Sequence, residues 1–190
     1  MKDLRAYVRN ILMETHFPLS GGEKVRIHHS RPSSRLEDDI QGSGSFPKDS
    51  NFTQKVGPKP SGLWYECQDG SSETWKEFCT TGFSGGYKYD RTYSIELKHS
   101  EILFIPDAHH FEKFYKMYSV NHPADLDGSK GYDKMIDWPK VASHYAGIEI
   151  CPYRNDKRMD DDSFWYYGWD IASGCIWGSE GIKEMTRICT

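Results

Sequence analysis

Apolar residues recur at the spacing of amphipathic helices in several parts of the chain. Near its start they fall three or four positions apart, which predicts an N-terminal helix within residues 1–20. Further helices are predicted over residues 73–79 and 110–118. Another follows Asp137, a favourable N-cap residue, with Pro139 in the first turn, where a proline sacrifices no hydrogen bond.

Shorter stretches alternate apolar and polar residues, or are apolar throughout, as strands are. They predict strands at residues 25–30, 63–67, 92–98, 102–105 and 147–151. In the first strand, alternation separates Ile27 and His29 from three residues of the opposite face: Arg26, His28 and Ser30. The aromatic stretch 165–177 is predicted as a pair of strands. Residues 31–61 lack periodicity and are predicted as a long loop.

Strands outnumber helices in this pattern, and the two do not alternate as βαβ units would. No internal repeat is visible along the 190 residues. The fold class expected is therefore α+β, in a single domain spanning residues 1–190.

Composition narrows the range of partners and compartments. Lys and Arg total 24 against 28 Asp and Glu, a net charge of −4, which disfavours a generally basic nucleic-acid-binding surface. No apolar run approaches the roughly 20 residues of a membrane helix. The first residues do not resemble a secretory signal, so the chain is expected to be cytoplasmic. Five scattered cysteines are expected to be free thiols, and no metal site is expected.

Three short segments carry residues suited to chemistry. The first is His28-His29-Ser30, although a strand histidine is more often structural. The second contains Gly62 and Trp64, with Trp75 beyond it, and suits either a platform for a flat ring or the protein core. The third is Glu149, which alternation separates from its isoleucine neighbours and directs either to a cleft or to solvent.

Taken in order, these segments resemble the ADP-ribosyltransferase superfamily, in the branch with a His–Tyr–Glu site. That branch includes the poly(ADP-ribose) polymerases and the diphtheria-type toxins. The hydrophobic-His-Gly-Ser pattern of the family corresponds here to Ile27-His28-His29-Ser30. Its Gly-Ile-Tyr-Phe motif corresponds to Gly62-Leu63-Trp64-Tyr65, with Ser72 eight residues and Trp75 eleven residues after Trp64. Glu149 is the candidate for its late-strand glutamate.

The resemblance implies a split antiparallel sheet around an NAD cleft, with peripheral helices. It further implies that Trp64 and Trp75 flank the nicotinamide ring and that His28, rather than His29, faces the adenosine ribose. Ser72 would bond the carboxamide, and the remaining cofactor-binding residues would be His29, Ser30, Gly62 and Tyr65. The catalytic residues would be Glu149, which stabilises the cationic ribose, and His28.

The chain departs from the family pattern at two positions. Trp64 replaces a tyrosine, and His29 replaces the glycine whose backbone holds the carboxamide. Glu180 and Glu184 are rivals of Glu149 for the catalytic position. The function expected is transfer of ADP-ribose from NAD to a macromolecule, with protein favoured over nucleic acid because of the net charge. The alternatives are a module that binds NAD without turnover and a non-enzymatic protein whose aromatic face holds a partner.

Overall fold

A computed structural model describes residues 17, 24–30, 52–68, 70, 73–82, 91–121 and 134–188. The strands are β1 (Val25–Ser30), β2 (Val56–Gly57), β3 (Leu63–Gln68), β4 (Arg91–Leu97), β5 (Ile102–Ile105), β6 (Ser119–Asn121), β7 (Lys134–Asp137), β8 (Gly147–Ile150), β9 (Ser173–Ile176) and β10 (Ile182–Ile188). The α-helices are α1 (Trp75–Gly82), α2 (Ala108–Tyr118) and α3 (Trp138–Ala142). Short 3-10 helices cover His99–Glu101, Asn155–Lys157, Asp161–Tyr166 and Ser179–Gly181.

Seven strands form one large sheet in the order β10-β4-β1-β3-β9-β8-β5. Its neighbours are antiparallel except for β5 and β8, which run parallel. A second sheet has three strands in the order β2-β7-β6. The molecule is thus a mixed α+β structure with a large, mostly antiparallel sheet and few helices, which confirms the predicted class.

The two faces of the large sheet follow from its register. Tyr65, Gly174 and Glu149 lie opposite one another across β3, β9 and β8, so they share one face, which we call the tyrosine face. Trp64 and Glu66 alternate with Tyr65 and therefore lie on the other, the tryptophan face. Helix α2 and the segment around Trp165 bury their apolar side chains in the core on the tryptophan side.

The helix caps follow from the sequence. The Asp107 side chain accepts a hydrogen bond from the His110 amide at 2.9 Å and begins α2, whose buried side chains are Phe111, Phe114 and Tyr118. Asp137 accepts a hydrogen bond from the Lys140 amide at 3.0 Å, as its predicted N-cap role requires.

The aromatic stretch before β9 is where the predicted elements are wrong. Residues 165–170 were expected to form a strand, but the chain forms the 3-10 helix Asp161–Tyr166 and a turn. The reason is packing, because Trp165 stacks on Phe111 of α2 with ring centroids 5.4 Å apart and Tyr166 meets the same ring edge-on. A helical turn brings both rings onto α2, whereas a strand would send them to opposite faces.

The predicted helix within residues 1–20 lies outside the described residues, apart from Phe17. Most of the predicted loop 31–61 does so too, but its described end contains β2, which pairs with β7. Among the described helices, none combines the length and the apolar character needed to cross a membrane.

Candidate functional site

A cavity of about 270 Å³ opens beside β1 and β3. Small-molecule sites usually measure roughly 300–1,000 Å³, so this one has room for part of a dinucleotide rather than all of it. It is lined by Ile27, His28, His29, Lys59, Trp64, Tyr65, Glu66, Trp75, Trp169, Asp170, Ile171 and Ser173. These residues come from three well-separated parts of the chain, and they combine aromatic walls with charged groups.

The cavity lies where the ladder between β1 and β3 ends. The described pairs run from Val25–Gln68 to Ile27–Glu66, while β1 continues against β4 as far as Ser30. Past that point Nδ1 of His28 lies 2.6 Å from the Trp64 carbonyl oxygen. A carbonyl oxygen only accepts, so Nδ1 carries the proton and donates it. In the neutral ring Nε2 is then the acceptor nitrogen.

Three indole side chains line the cavity. The Trp64 ring meets Trp169 edge-on, with centroids 4.8 Å apart, and the Lys59 ammonium lies 5.2 Å from the Trp64 centroid. Trp75, at the start of α1, stacks on Phe78 at 5.5 Å. Both tryptophans that the sequence assigned to a ring-binding platform therefore reach one cavity.

Glu66 is a buried carboxylate of this cavity, 4% exposed. It accepts hydrogen bonds from the Trp75 amide at 2.5 Å and from Nε2 of Gln68 at 2.5 Å, and Nε2 of His29 lies 3.3 Å away. Burial raises the pKa of the Glu66 carboxyl, but these hydrogen bonds outweigh burial and hold the pKa below its usual value. The carboxylate of Glu66 thus links the N-terminus of α1 to β3.

Asp170 and Lys59, which carry opposite charges, also line the described part of the cavity. Burial lowers the pKa of the Lys59 ammonium, and the nearby Asp170 carboxylate acts in the opposite direction. Asp170 is 24% exposed, and its contact with the Arg158 guanidinium measures 3.6 Å. The Arg158 guanidinium also lies over the Tyr167 ring at 5.2 Å.

Sequence reasoning assigned no role to Glu66, Asp170 or Lys59. The signal for Glu66 was present, since it lies two residues after Trp64 on a strand and therefore on the same face. Asp170 and Lys59 follow no local pattern, because the first lies in a turn before β9 and the second before β3.

Five predicted site residues line the cavity: His28, His29, Trp64, Tyr65 and Trp75. Both histidines are in the lining, so the expected division between His28 and His29 is not visible there. Ser72 lies outside the described residues.

Among the described predicted residues, Ser30 and Gly62 are absent from the lining. Ser30 is buried at the end of β1. Gly62 has a packing role, because a Cβ atom there would lie 2.3 Å from the Ile176 carbonyl oxygen of β9. The close approach of the two backbones therefore requires glycine at this position.

Glu149 lies on the tyrosine face and is likewise absent from the described cavity lining. It is 1% exposed and forms a bidentate pair with Arg26, whose Nε lies 2.6 Å from Oε2 and whose Nη2 lies 3.1 Å from Oε1. The Tyr65 hydroxyl donates to Oε2 at 3.0 Å. Burial raises the pKa of Tyr65 well above its usual value, so it remains a donor. The catalytic role of Glu149 stays a prediction. Its contacts with Arg26 and Tyr65 give it a structural role.

The alternation that was expected to point Glu149 into a cleft is present, but both faces of β8 are covered. Ile148 and Ile150 pack in the core on the tryptophan side, and Glu149 is sealed by Arg26 and Tyr65 on the other. The rivals Glu180 and Glu184 are exposed and are not among the described lining residues.

Cys67 and Cys151 form a disulfide, so the prediction of free thiols is wrong for this pair. Cys79 and Cys175 are buried, Cys175 is a free thiol, and Cys189 lies outside the described residues. Possible metal-ligating atoms of Cys67, Cys151 and Glu149 lie within 4.8 Å of one another. The two sulfur atoms are bonded to each other, however, and therefore do not serve as thiolate ligands.

Helical and strand geometry thus brings the two histidines and the two tryptophans of the predicted motifs to one cavity, and leaves the predicted glutamate outside its described lining. Comparisons of the chain with models of protein families, with curated proteins and with solved structures find no match.

Proposed function

We propose that the cavity binds the nicotinamide end of NAD and that the protein transfers ADP-ribose from NAD to a macromolecular acceptor. The observation that carries this proposal is the meeting of His28, Trp64 and Trp75 in one cavity. They come from separate segments, and the resemblance to ADP-ribosyltransferases assigns all three to nicotinamide and ribose contacts.

The size and walls of the cavity support a flat ring as the ligand. A volume of about 270 Å³ accommodates a nicotinamide ring with part of its ribose, and leaves the rest of the dinucleotide outside. The indoles of Trp64 and Trp75 offer stacking surfaces, and an acceptor nitrogen on His28 suits a ribose hydroxyl.

The reaction proposed breaks the bond between the ribose C1′ and the nicotinamide nitrogen. Nicotinamide leaves with the bonding electron pair, positive charge develops on the ribose, and a nucleophile of the acceptor forms the new bond to C1′ and loses its proton to water. A carboxylate near the ribose stabilises this charge more in the transition state than in the ground state. The net charge of −4 favours a protein over a nucleic acid as the acceptor.

A second function is favoured by one observation. Glu149, which the resemblance placed at the reacting ribose, is buried in a pair with Arg26 and is absent from the described lining of the cavity. A protein with the ring-binding walls but without that carboxylate would bind NAD and leave it intact. The two functions agree on binding and differ on nicotinamide release.

One experiment separates them. The protein is titrated with NAD while tryptophan fluorescence is recorded, and it is then incubated with NAD labelled in the adenosine part and with cell lysate. Quenching together with nicotinamide release and a labelled product that protease digests supports transfer to protein. Quenching without release supports the binding module. Absence of quenching at millimolar NAD overturns both.

A further inference from the structure

We propose that the cavity selects a flat cationic ring over its neutral counterpart, and that Asp170 is the carboxylate facing the positive charge of that ring. The proposal concerns the same cavity as the proposed function and rests on it for the choice of nicotinamide as the ring. This preference for a cationic ring can be measured by binding alone, without turnover of NAD.

The aromatic walls are the first support. The face of an indole ring carries negative electrostatic potential and attracts cations, most strongly when they are shielded from water. A cation of the protein already lies on one of these faces, since the Lys59 ammonium is 5.2 Å from the Trp64 centroid. Trp75 and Trp169 line the same space. A cationic ring that entered would take over the position that Lys59 now holds.

The carboxylates of the lining are the second support, and they differ in whether their oxygens can contact a ligand. Glu66 is 4% exposed and its oxygens already accept from Trp75 and Gln68. Asp170 is 24% exposed, and its 3.6 Å contact with Arg158 is longer than a hydrogen bond. Of the two carboxylates in the described part of the lining, Asp170 is therefore the one with an oxygen to offer a ligand.

The cations near Asp170 do not cancel this preference. Arg158 is 31% exposed, so water screens its charge, and its guanidinium lies over Tyr167. Lys59 lies on Trp64, and burial lowers its pKa, so it holds its proton less firmly than a free lysine. A ring with a permanent positive charge meets no such cost of protonation and is the better occupant. The histidines of the lining, His28 and His29, bond to the Trp64 carbonyl and to Glu66.

The test compares two probes of nearly equal shape. 1-Methylnicotinamide, methylated on the ring nitrogen, is a permanent cation, and nicotinamide is the neutral ring. Dissociation constants for both are measured by tryptophan fluorescence and by calorimetry, with the wild type, Asp170→Asn, Asp170→Glu and Glu184→Gln. The last removes one carboxylate from an exposed position of β10 outside the cavity lining and is the matched control. Thermal melting checks that each variant is folded.

We expect the wild type to bind the cation at least about tenfold more tightly than the neutral ring, the size of one desolvated cation contact. Asp170→Asn should lower that ratio about tenfold and leave the affinity for nicotinamide unchanged, whereas Asp170→Glu and Glu184→Gln should keep the preference. Equal binding of the two probes by the wild type overturns the proposal without any variant, and an unchanged ratio in folded Asp170→Asn overturns the role of Asp170.

Failure of the proposed function gives a different result. If the cation is preferred but NAD is neither bound nor cleaved, the inference stands and the proposal of ADP-ribose transfer falls. If NAD is cleaved but the two rings bind equally, only the inference falls.

Discussion

At the scale of single residues, Trp64 forms part of the aromatic wall of the cavity. An indole offers a larger face for stacking than the phenol of the motif that this segment resembles, but it has no hydroxyl to donate. Its edge contact with Trp169 at 4.8 Å fixes the ring from one side, and the Lys59 ammonium lies over it. In the proposed function, this ring would hold its ligand through stacking area and charge rather than through a hydroxyl.

Trp64→Ala should weaken NAD binding by roughly 1–3 kcal/mol, the usual contribution of one aromatic ring stacked on a base. Trp64→Phe keeps a stacking face and should lose less. The measurement is a calorimetric titration with NAD, with thermal melting as the check on folding, because Trp64 also packs on Trp169. An NAD affinity equal to that of the wild type in folded Trp64→Ala would show that the ring does not stack there.

The spacing of residues along the chain singles out the rings of the cavity more readily than the charges around them. His28, Trp64 and Trp75 could be assigned from motif spacing, because each lies at a fixed position on a regular element. Asp170 lies in a turn whose path depends on the packing of Trp165 and Trp169 in the core. The direction of Glu149 was predicted from alternation, but alternation does not tell which face of a sheet holds a cavity.

At the scale of elements, the contact between β3 and α1 is electrostatic. Glu66, on β3, accepts a hydrogen bond from the amide of Trp75, which begins α1. A carboxylate at a helix N-terminus also interacts favourably with the helix dipole. Two walls of the cavity, Trp64 and Trp75, thus keep their relative position through a group that lies between them.

This contact predicts a specific dependence of stability on pH. The pKa of Glu66 is lower in the folded protein than the ordinary value of 4.5. Its contribution to stability is therefore complete above about pH 4.5 and is lost as the pH falls through the lowered folded-state pKa. The free energy of unfolding of the wild type should exceed that of Glu66→Gln at neutral pH, and the difference should shrink below about pH 4.5.

Urea unfolding at pH values from 7 to 3 measures this difference, with Glu184→Gln as the comparison for an exposed carboxylate. A difference between wild type and Glu66→Gln that stays constant over the acid range would contradict the role given to Glu66.

The Arg26–Glu149 pair joins β1 to β8 across the two strands between them. Gly174 of β9 makes room for this network, because a Cβ atom there would lie 2.2 Å from the Tyr65 ring and hydroxyl. Removing one partner of a buried ion pair leaves an uncompensated charge, which costs about 3–5 kcal/mol. Glu149→Gln and Arg26→Met should each lower the free energy of unfolding by about that amount.

The same variant tests the catalytic role that the resemblance gives to Glu149. A structural residue lowers stability and leaves nicotinamide release per folded molecule unchanged at low temperature. A catalytic residue lowers release on the order of 10²–10³-fold in molecules that remain folded. Release measured below the melting temperature of Glu149→Gln therefore decides between the two roles.

The elements themselves could be predicted to an uneven degree. Strands with a buried face, such as β1, β3, β5 and β8, show their period or their apolar run in the sequence. The edge strand β10 has mostly exposed positions, and the two residues of β2 are too short to carry a period, so neither has a signal of its own. The conformation of the aromatic stretch before β9 is set by its packing against α2 rather than by a local preference.

At the scale of the whole molecule, the disulfide between Cys67 and Cys151 could not be predicted from the sequence. Cys67 and Cys151 are separated by 84 residues and meet only because β3, β9 and β8 are neighbours in the sheet. Spacing along the chain carries no information on such a pairing. Disulfides are typical of oxidising compartments, which counts against the cytoplasmic location expected from the start of the chain; the location stays a prediction.

Reduction of this disulfide should lower the free energy of unfolding by about 2–5 kcal/mol, because opening a loop of 84 residues returns conformational entropy to the unfolded chain. Urea unfolding with and without a reductant measures the change. The double variant Cys67→Ala/Cys151→Ala should have the same stability with and without reductant, whereas Cys175→Ala should respond as the wild type does, since Cys175 is a free thiol. A wild type whose unfolding midpoint is the same in both conditions would show that the two cysteines do not hold the folded sheet together in solution. A midpoint that falls with reductant would assign the link between β3 and β8 a direct part in global stability.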